Sequence, residues 1–294
     1  MNYRYKLLKE LLNELSLFSL NFRNEIFQTN IKLDKTPVTE LDIINQYMCE
    51  KIIKYFFKND KIIAEENLKD DFAIKTIKKY NNEILEIINK VLKIDIEDDQ
   101  KIFTWFIDPI DGTKGFIDNL VFSIAISIVK NTDLISSGLA CIGMNKVFEN
   151  LSDIIIATTD NNKVEFNIKD IKIKHYPNSI AISRKHKTKK LYQELNKYGY
   201  KTIEIDSQAK YMLVLLKIVD FYIREAGSCG NKNDFSWDHL AGIHLIKTNK
   251  GCISDIKGEF PIFSDKSTYI IFNDYLISSS NSCENLIQKL KGIQ

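Results

Sequence analysis

FTWFIDPIDGTKGF, residues 103–116, ends an apolar run in two carboxylates, Asp108 and Asp111, with Pro109 between them. The apolar residues predict a buried strand over 102–107. A carboxylate beside a core is costly unless it is paired or holds a cation. Pro109 restricts the backbone, so that both aspartates and the carbonyl of Ile110 can point at one place. Gly112 lets an anion come close to the main chain. The N–H groups of Gly112 and Thr113 would hold a phosphate if they open a helix. An isolated D-P-x-D is a common turn, so the weight falls on what accompanies this one.

Three other segments carry acid in similar company. KIIAEEN, 61–67, reads as a short apolar strand ending in Glu65 and Glu66; Asp42 stands beside Thr39 in TPVTELD; Asp238 lies in WDHLAG, 237–242. Carboxylates without clustered His or Cys form a hard-oxygen donor set, which suits Mg²⁺ or Mn²⁺ rather than zinc. Asp42 has a second reading as a helix cap, since capping chemistry uses the same residues.

The 294 residues suffice for two modest domains with a proper core. Lys and Arg total 41 against 39 Asp and Glu, so no general positive field is available to hold a nucleic-acid polymer. Five cysteines, Cys49, Cys141, Cys229, Cys252 and Cys283, show no C-x-x-C spacing. That argues against a zinc or disulfide framework and for a reducing compartment. The charged N-terminal segment MNYRYKLLKELLNELSLFSL predicts an amphipathic helix rather than a signal peptide, and no stretch has the roughly 20 apolar residues that span a bilayer. A soluble, cytoplasmic protein without a membrane partner is expected.

Along the chain, a first helix leads to a loop at KLDKTPVTELD, and Thr39 caps a helix from Glu40 to about Phe57. Residues 67–100 read as charged and mostly helical. FSIAISIVKNTDLISSGLACIG predicts two buried strands joined by a turn at Asn131–Asp133. Short strands follow to 176. SIAISRKH is a strand carrying Arg184, Lys185 and His186 at its tip, before a helix, the strand KTIEID, a helix from Ser207 and the strand IVDFYIRE. SWDHLAGIHLIKTNKG is a helix closed by Gly251. A seam falls between about 150 and 180.

DPIDGT, with AEE before it and WDHLAG after it, resembles the signature of the lithium-sensitive, Mg²⁺-dependent phosphatases related to inositol monophosphatase, in the same order and at similarly wide spacing. DPIDGTKGF with Lys114, DSQAKY at 206–211 and DFYIR at 220–224 resemble the 3'(2'),5'-bisphosphate nucleotidase branch of that family. The resemblance implies an α/β protein, the layered αβαβα sandwich, with an α+β metal-binding half over 1–165 and an α/β nucleotide-binding half over 166–294. It implies that Glu65, Asp108, Asp111, Asp238 and the carbonyl of Ile110 hold two or three Mg²⁺. It also implies that Asp42 orients the Thr113 hydroxyl toward the attacking water. Ser207, Lys210 and Arg224, and more loosely His186, fall where that branch contacts its nucleotide. Read without the resemblance, Ser207 is an N-cap and Lys210 lies on a solvated face. Arg224 ends an apolar strand, which suits a buried phosphate or carboxylate partner. His239 reads as packing or capping.

The implied activity is hydrolysis of 3'-phosphoadenosine 5'-phosphate (PAP), and of its sulfated form (PAPS), by a lithium-inhibited monomer or homodimer. Two rivals stand beside it: an inositol-phosphate or sugar-phosphate phosphatase on the same metal core, and a nucleotide-binding regulator without turnover. The direction in which Ser207, Lys210 and Arg224 face separates the two enzyme readings. Ala64 replaces the Gly of G-E-E, GMNK at 143–146 stands where relatives have a proline-containing turn, and the segment between Arg224 and Trp237 departs from the branch pattern.

Overall fold

The computed structural model describes residues 3–33, 35–168, 173–184, 188–227 and 234–291. The first part of the chain runs α1 (Tyr3–Phe22), β1 (Thr29–Ile31), β2 (Pro37–Thr39), α2 (Glu40–Phe56), β3 (Lys61–Ala64), α3 (Asp71–Lys79), α4 (Asn81–Val91), β4 (Thr104–Asp111), α5 (Thr113–Ile117), β5 (Phe122–Lys130), β6 (Asp133–Ile142), β7 (Ile154–Thr159) and β8 (Val164–Phe166). The second continues with β9 (Ser179–Ile182), α6 (Lys189–Lys197), β10 (Lys201–Glu204), α7 (Ala209–Leu215), β11 (Phe221–Glu225), β12 (Asp234–Phe235), α8 (Leu240–Thr248), β13 (Cys252–Asp255), β14 (Tyr269–Ile270), β15 (Tyr275–Ser279) and α9 (Glu284–Lys291).

Among the described residues two sheets dominate, in strand order β3-β4-β5-β6-β7-β8 and β10-β9-β11-β15-β13. In the first, only β3 and β4 run parallel; in the second, β9 runs parallel to both β10 and β11. The first sheet is buried on both faces, and its residues alternate accordingly. Trp105, Ile107, Ile124 and Ile126 pack against Leu7, Leu11 and Leu15 of α1 and Ile44, Met48 and Ile52 of α2. Phe106, Ala125, Leu139 and Cys141 face the other way, onto Tyr211 and Leu213 of α7 and Ala241 and Leu245 of α8. Burial on both faces explains why β4 and β5 read as continuous apolar runs rather than alternating ones.

The second sheet joins the central helices through Tyr222 and Leu276. Its far face, with Ile180, Ile182, Ile223 and Ile277, is covered by Leu191 and Leu195 of α6 and Leu286 and Leu290 of α9. The order of layers is therefore helix, sheet, helix, sheet, helix, the expected αβαβα sandwich. In α1 the leucines at 7, 8, 11, 12 and 15 are all fully buried. Each contributes about 1.5–3 kcal/mol of burial.

Three local expectations are corrected. The segment around 29–39 is a hairpin, with Thr29 opposite Thr39, rather than a loop. Strand β4 runs on to Asp111, so the two aspartates lie within it and not just beyond it. The helix expected from Ser207 starts at Ala209, because Ser207 has a left-handed φ of 67°. Cys49, Cys141, Cys252 and Cys283 are free thiols, and Cys229 lies outside the described residues. No helix among the described residues is long and apolar enough to cross a membrane.

Candidate active site

Asp108 and Asp111 reach the same side of β4 because the strand bulges between them. Asp108 pairs with Ala125 and Asp111 with Ser123, three steps on one strand against two on its neighbour. Strand side chains alternate, so residues three apart ordinarily face opposite ways; one extra residue restores a common face. Pro109 lies in the bulge, where its missing N–H costs the ladder nothing, and its carbonyl accepts from Asn45 Nδ2 at 3.2 Å. The side chosen is that of Phe106, toward α7 and α8.

There a cavity of about 300 Å³ is lined by Glu65, Asp108, Ile110, Asp111, Thr113 and Asp238, and also by Ser207, Lys210 and Arg224. Glu65 arrives at the end of β3, parallel to β4. Asp238 closes a 3₁₀ turn, Ser236–Asp238, at the head of α8. Gln208 ties these pieces together. Its N–H donates to Asp111 Oδ2, and its Nε2 donates to the Trp237 carbonyl at 2.9 Å.

Acid charge is crowded here. Burial, then Glu65, Asp111, Asp238 and Asp42, push the Asp108 carboxyl well above the usual range. Burial raises Asp111 to about 6, against the pull of Lys210. Carboxylates this buried and this close call for a multivalent cation, and their oxygens suit Mg²⁺. Among the described residues no three acid, His or Cys side chains are already drawn into a coordination shell. The acids ring the cavity, and Glu65 is held by Lys32 Nζ at 2.6 Å.

Asp42 makes the helix-capping contacts that its sequence context suggested, and it also meets the Thr113 hydroxyl. Oδ2 accepts from the Thr39 N–H at 2.9 Å and from the Thr39 hydroxyl at 2.5 Å, fixing the start of α2. Oδ1 accepts from the Thr113 hydroxyl at 3.0 Å. That hydroxyl also lies 3.2 Å from the Ile110 carbonyl. Burial raises the Asp42 carboxyl to about 6. Gly112 precedes α5 with φ +83°, and a Cβ there would stand 2.9 Å from Ser207 Cβ. Glycine is thus required by the close approach of the two halves of the chain, as well as leaving the main chain open to an anion.

Lys210 is buried rather than on a solvated face. Its Nζ donates to the Ser207 carbonyl at 2.5 Å, and burial lowers its pKa. Ser207 Oγ accepts from the Ala209 N–H at 3.1 Å, a local cap, while the residue also borders the cavity. Arg224 has found its carboxylate: Nε and Nη2 donate to Asp234 Oδ1 at 2.8 and 2.5 Å. His186 lies outside the described residues.

Several cavity residues escaped sequence reasoning. Gln208 and Asp206 lie inside DSQAKY, yet nothing in that string distinguished them. His239 packs as expected, with Nδ1 2.9 Å from the Tyr211 hydroxyl, but it also lines the cavity. Its buried Nε2 stands 3.6 Å from Asp234 Oδ1, too far for a hydrogen bond. Lys35, Thr36 and Pro37 bring the β1–β2 hairpin to the mouth.

A layered αβαβα sandwich with buried acids ringing one cleft defines a class, the metal-dependent phosphatases of this fold. A profile of the Inositol monophosphatase family matches residues 10–294, and the chain belongs to that family. Among curated relatives, a 3'(2'),5'-bisphosphate nucleotidase 2 of Candida albicans is 25% identical, over 83% of this chain and 84% of its own length. A 3'(2'),5'-bisphosphate nucleotidase of Dictyostelium discoideum is also 25% identical, over 77% of each chain. Among solved structures, a Thermotoga maritima IMPase superposes with a TM-score of 0.63 at 18% identity, covering 100% of this chain and 98% of that one. An IMPase/NADP phosphatase complexed with Mg²⁺ and phosphate gives 0.62 at 14% identity, covering 95% and 90%.

Proposed function

We propose that the chain is a Mg²⁺-dependent 3'(2'),5'-bisphosphate nucleotidase that hydrolyses the 3'-phosphate of PAP, giving AMP and phosphate, and that acts on PAPS in the same way. The observation that carries the reading is the meeting of Ser207, Lys210 and Arg224 with Glu65, Asp108, Asp111 and Asp238 around one cavity. A substrate with two phosphates needs a cationic site apart from the metal acids, and Lys210 and Arg224 supply it. The curated relatives named as bisphosphate nucleotidases support the same substrate class.

In this reading Glu65, Asp108, Asp111, Asp238 and the Ile110 carbonyl hold two or three Mg²⁺, with Mn²⁺ as a substitute. The ions, when bound, supply charge neutralisation and an acidified water. The chain's own work is positional. Asp42 Oδ1 fixes the Thr113 hydroxyl, and that hydroxyl orients the attacking water and passes its proton toward Asp42. Gly112 and Thr113 offer N–H groups to the departing phosphate. Residues 1–165 form the metal-binding half and 166–294 the nucleotide-binding half of a cytoplasmic monomer or homodimer.

A second reading, an inositol-phosphate or sugar-phosphate phosphatase, draws on the pairing of Arg224 with Asp234, which leaves fewer donors for a second phosphate. Phosphate release from PAP, 3'-AMP, inositol 1-phosphate and fructose 1,6-bisphosphate separates them, each run with Mg²⁺, with EDTA and with Mg²⁺ plus Li⁺. Preference for PAP over 3'-AMP, lost in EDTA and suppressed by Li⁺, is the expected result. Preference for inositol phosphate would discard the roles of Ser207, Lys210 and Arg224. No release from any substrate would favour a nucleotide-binding regulator.

A further inference from the structure

Asp234 Oδ1 accepts from two nitrogens along one edge of the Arg224 guanidinium, Nε at 2.8 Å and Nη2 at 2.5 Å, and its Oδ2 accepts from the Gly227 N–H at 3.3 Å. A third nitrogen stands near the same Oδ1. His239 Nε2 lies 3.6 Å away, is shut off from solvent and has no hydrogen-bond partner among the described residues. The other ring nitrogen, Nδ1, lies 2.9 Å from the Tyr211 hydroxyl. That hydroxyl is the donor of the pair. The opposite tautomer would turn an Nε2 lone pair toward a carboxylate and leave the tyrosine proton without an acceptor among the described residues. The imidazole proton therefore sits on Nε2 and faces Asp234. A buried N–H without a partner is costly, and a shift of roughly half an ångström by Asp234 would give it one.

We propose that Asp234 exchanges Arg224 for His239 when a phosphate reaches the cation side of the cleft, so that His239 is a positioning residue for the second phosphate of the substrate. Lys210, Arg224 and His239 border the cavity, and Asp234 lies behind them. Arg224 is 7% exposed and Asp234 4%, so their pair forms in the cavity wall. A phosphate entering beside Lys210 meets a guanidinium with one edge filled and a carboxylate at its back. Held there, the carboxylate repels the phosphate and keeps from it two donors suited to bidentate binding. Moved onto the Nε2–H of His239, it opens that edge and keeps a hydrogen bond of its own. Neither the carboxylate nor the imidazole is then left buried and unpaired. Arg224 can thus be fully paired in the empty cleft and still serve a substrate. His239 acts through Asp234 and touches no reacting atom. The inference rests on the reading that Lys210 and Arg224 hold the second phosphate of a bisphosphate nucleotide.

The test is steady-state hydrolysis of PAP and 3'-AMP by the full chain in Mg²⁺. The readout is the ratio of kcat/KM for the two substrates, since only PAP carries the second phosphate. His239→Phe keeps a ring and loses the N–H; its ratio should fall about ten-fold, mainly through KM for PAP. His239→Gln, which offers a carboxamide N–H, should recover most of that loss. Asp234→Asn has no charge with which to hold Arg224 back, so its ratio should equal or exceed that of wild type. In the Asp234→Asn background, His239→Phe should change the ratio by less than about two-fold. A lower ratio in Asp234→Asn would make Asp234 a fixed brace for Arg224 and overturn the exchange; this variant decides the matter alone if His239→Phe does not fold. The same loss from His239→Phe in both backgrounds would overturn it too. Wild type without preference for PAP over 3'-AMP would overturn the second-phosphate site itself, and the exchange with it.

Discussion

The two sides of the cleft are built by opposite strategies. On the side of the first sheet, Asp108 and Asp111 stand three positions apart in one bulged strand, and Asp42 caps the helix from which it reaches Thr113. These acids are under-compensated: burial and mutual repulsion push Asp108 well above the usual carboxylate range. On the side of the second sheet, the cations come from α7 and β11, and each is already occupied, Lys210 by carbonyls and Arg224 by Asp234. One side carries buried acid charge with little local compensation, and the other carries cations that already have partners. Under the proposed function the acid side serves catalysis and the cation side substrate choice, and mutations should separate them.

The largest effect is expected on the acid side. Asp111→Asn keeps an acceptor for the Gln208 N–H and Ser123, so the fold should survive, while kcat falls by about 10³ or more on PAP and 3'-AMP alike. Retention of more than about a tenth of kcat, a loss below roughly 1.4 kcal/mol, would remove Asp111 from the metal set. Thr113→Val deletes the hydroxyl between Asp42 and Ile110 and should lower kcat by about 10²–10³, with Thr113→Ser restoring most of it. Equal losses in both variants would point to packing instead.

The cation side should answer differently. Lys210→Met keeps the buried volume and should lower kcat/KM for PAP about 10²-fold, with 3'-AMP changed by less than about five-fold. Matching losses on both substrates would erase the distinction between the two sides.

The smallest effect on activity is expected in the layer that joins them, where stability responds instead. His244 of α8 is buried, with Nδ1 2.8 Å from Ser137 Oγ and Nε2 2.6 Å from Asn161 Oδ1, and burial lowers its pKa from 6.5 to about 4. Its folded pKa is depressed, so the unfolded chain binds more protons below the ordinary value. The stability it provides is therefore complete above about pH 6.5 and is lost as the pH falls toward 4, by up to about 3 kcal/mol. Denaturant midpoints of His244→Gln should fall less steeply than those of wild type across that window. Parallel slopes would show that the acid limb comes from the carboxylates.

The acid side was legible because the features that build it are local. A bulge, a proline, a capping box and a strand end each occupy a few consecutive residues, so spacing along the chain approximates spacing in the site. Asp42 also shows why a cap need not exclude a second contact, since a carboxylate has two oxygens and this one uses both. The cation side was less legible. Ser207 and Lys210 have ordinary surface readings, and only the packing of α7 against the first sheet takes them out of water. Arg224 was expected to seek an anion, but that Asp234 would supply one depends on where β12, paired with β14, lies in the tertiary structure.

What the sequence alone determined was the strand that ends in acid, the order of the three acidic motifs and the family they signal. Tertiary structure decided which face Asp108 and Asp111 share, what Gln208 bridges, and that Lys32 stands between Glu65 and Glu66. The reason is physical. Backbone geometry propagates over a few residues and leaves its trace in local composition, whereas a buried charge is defined by partners that the chain brings together from far away.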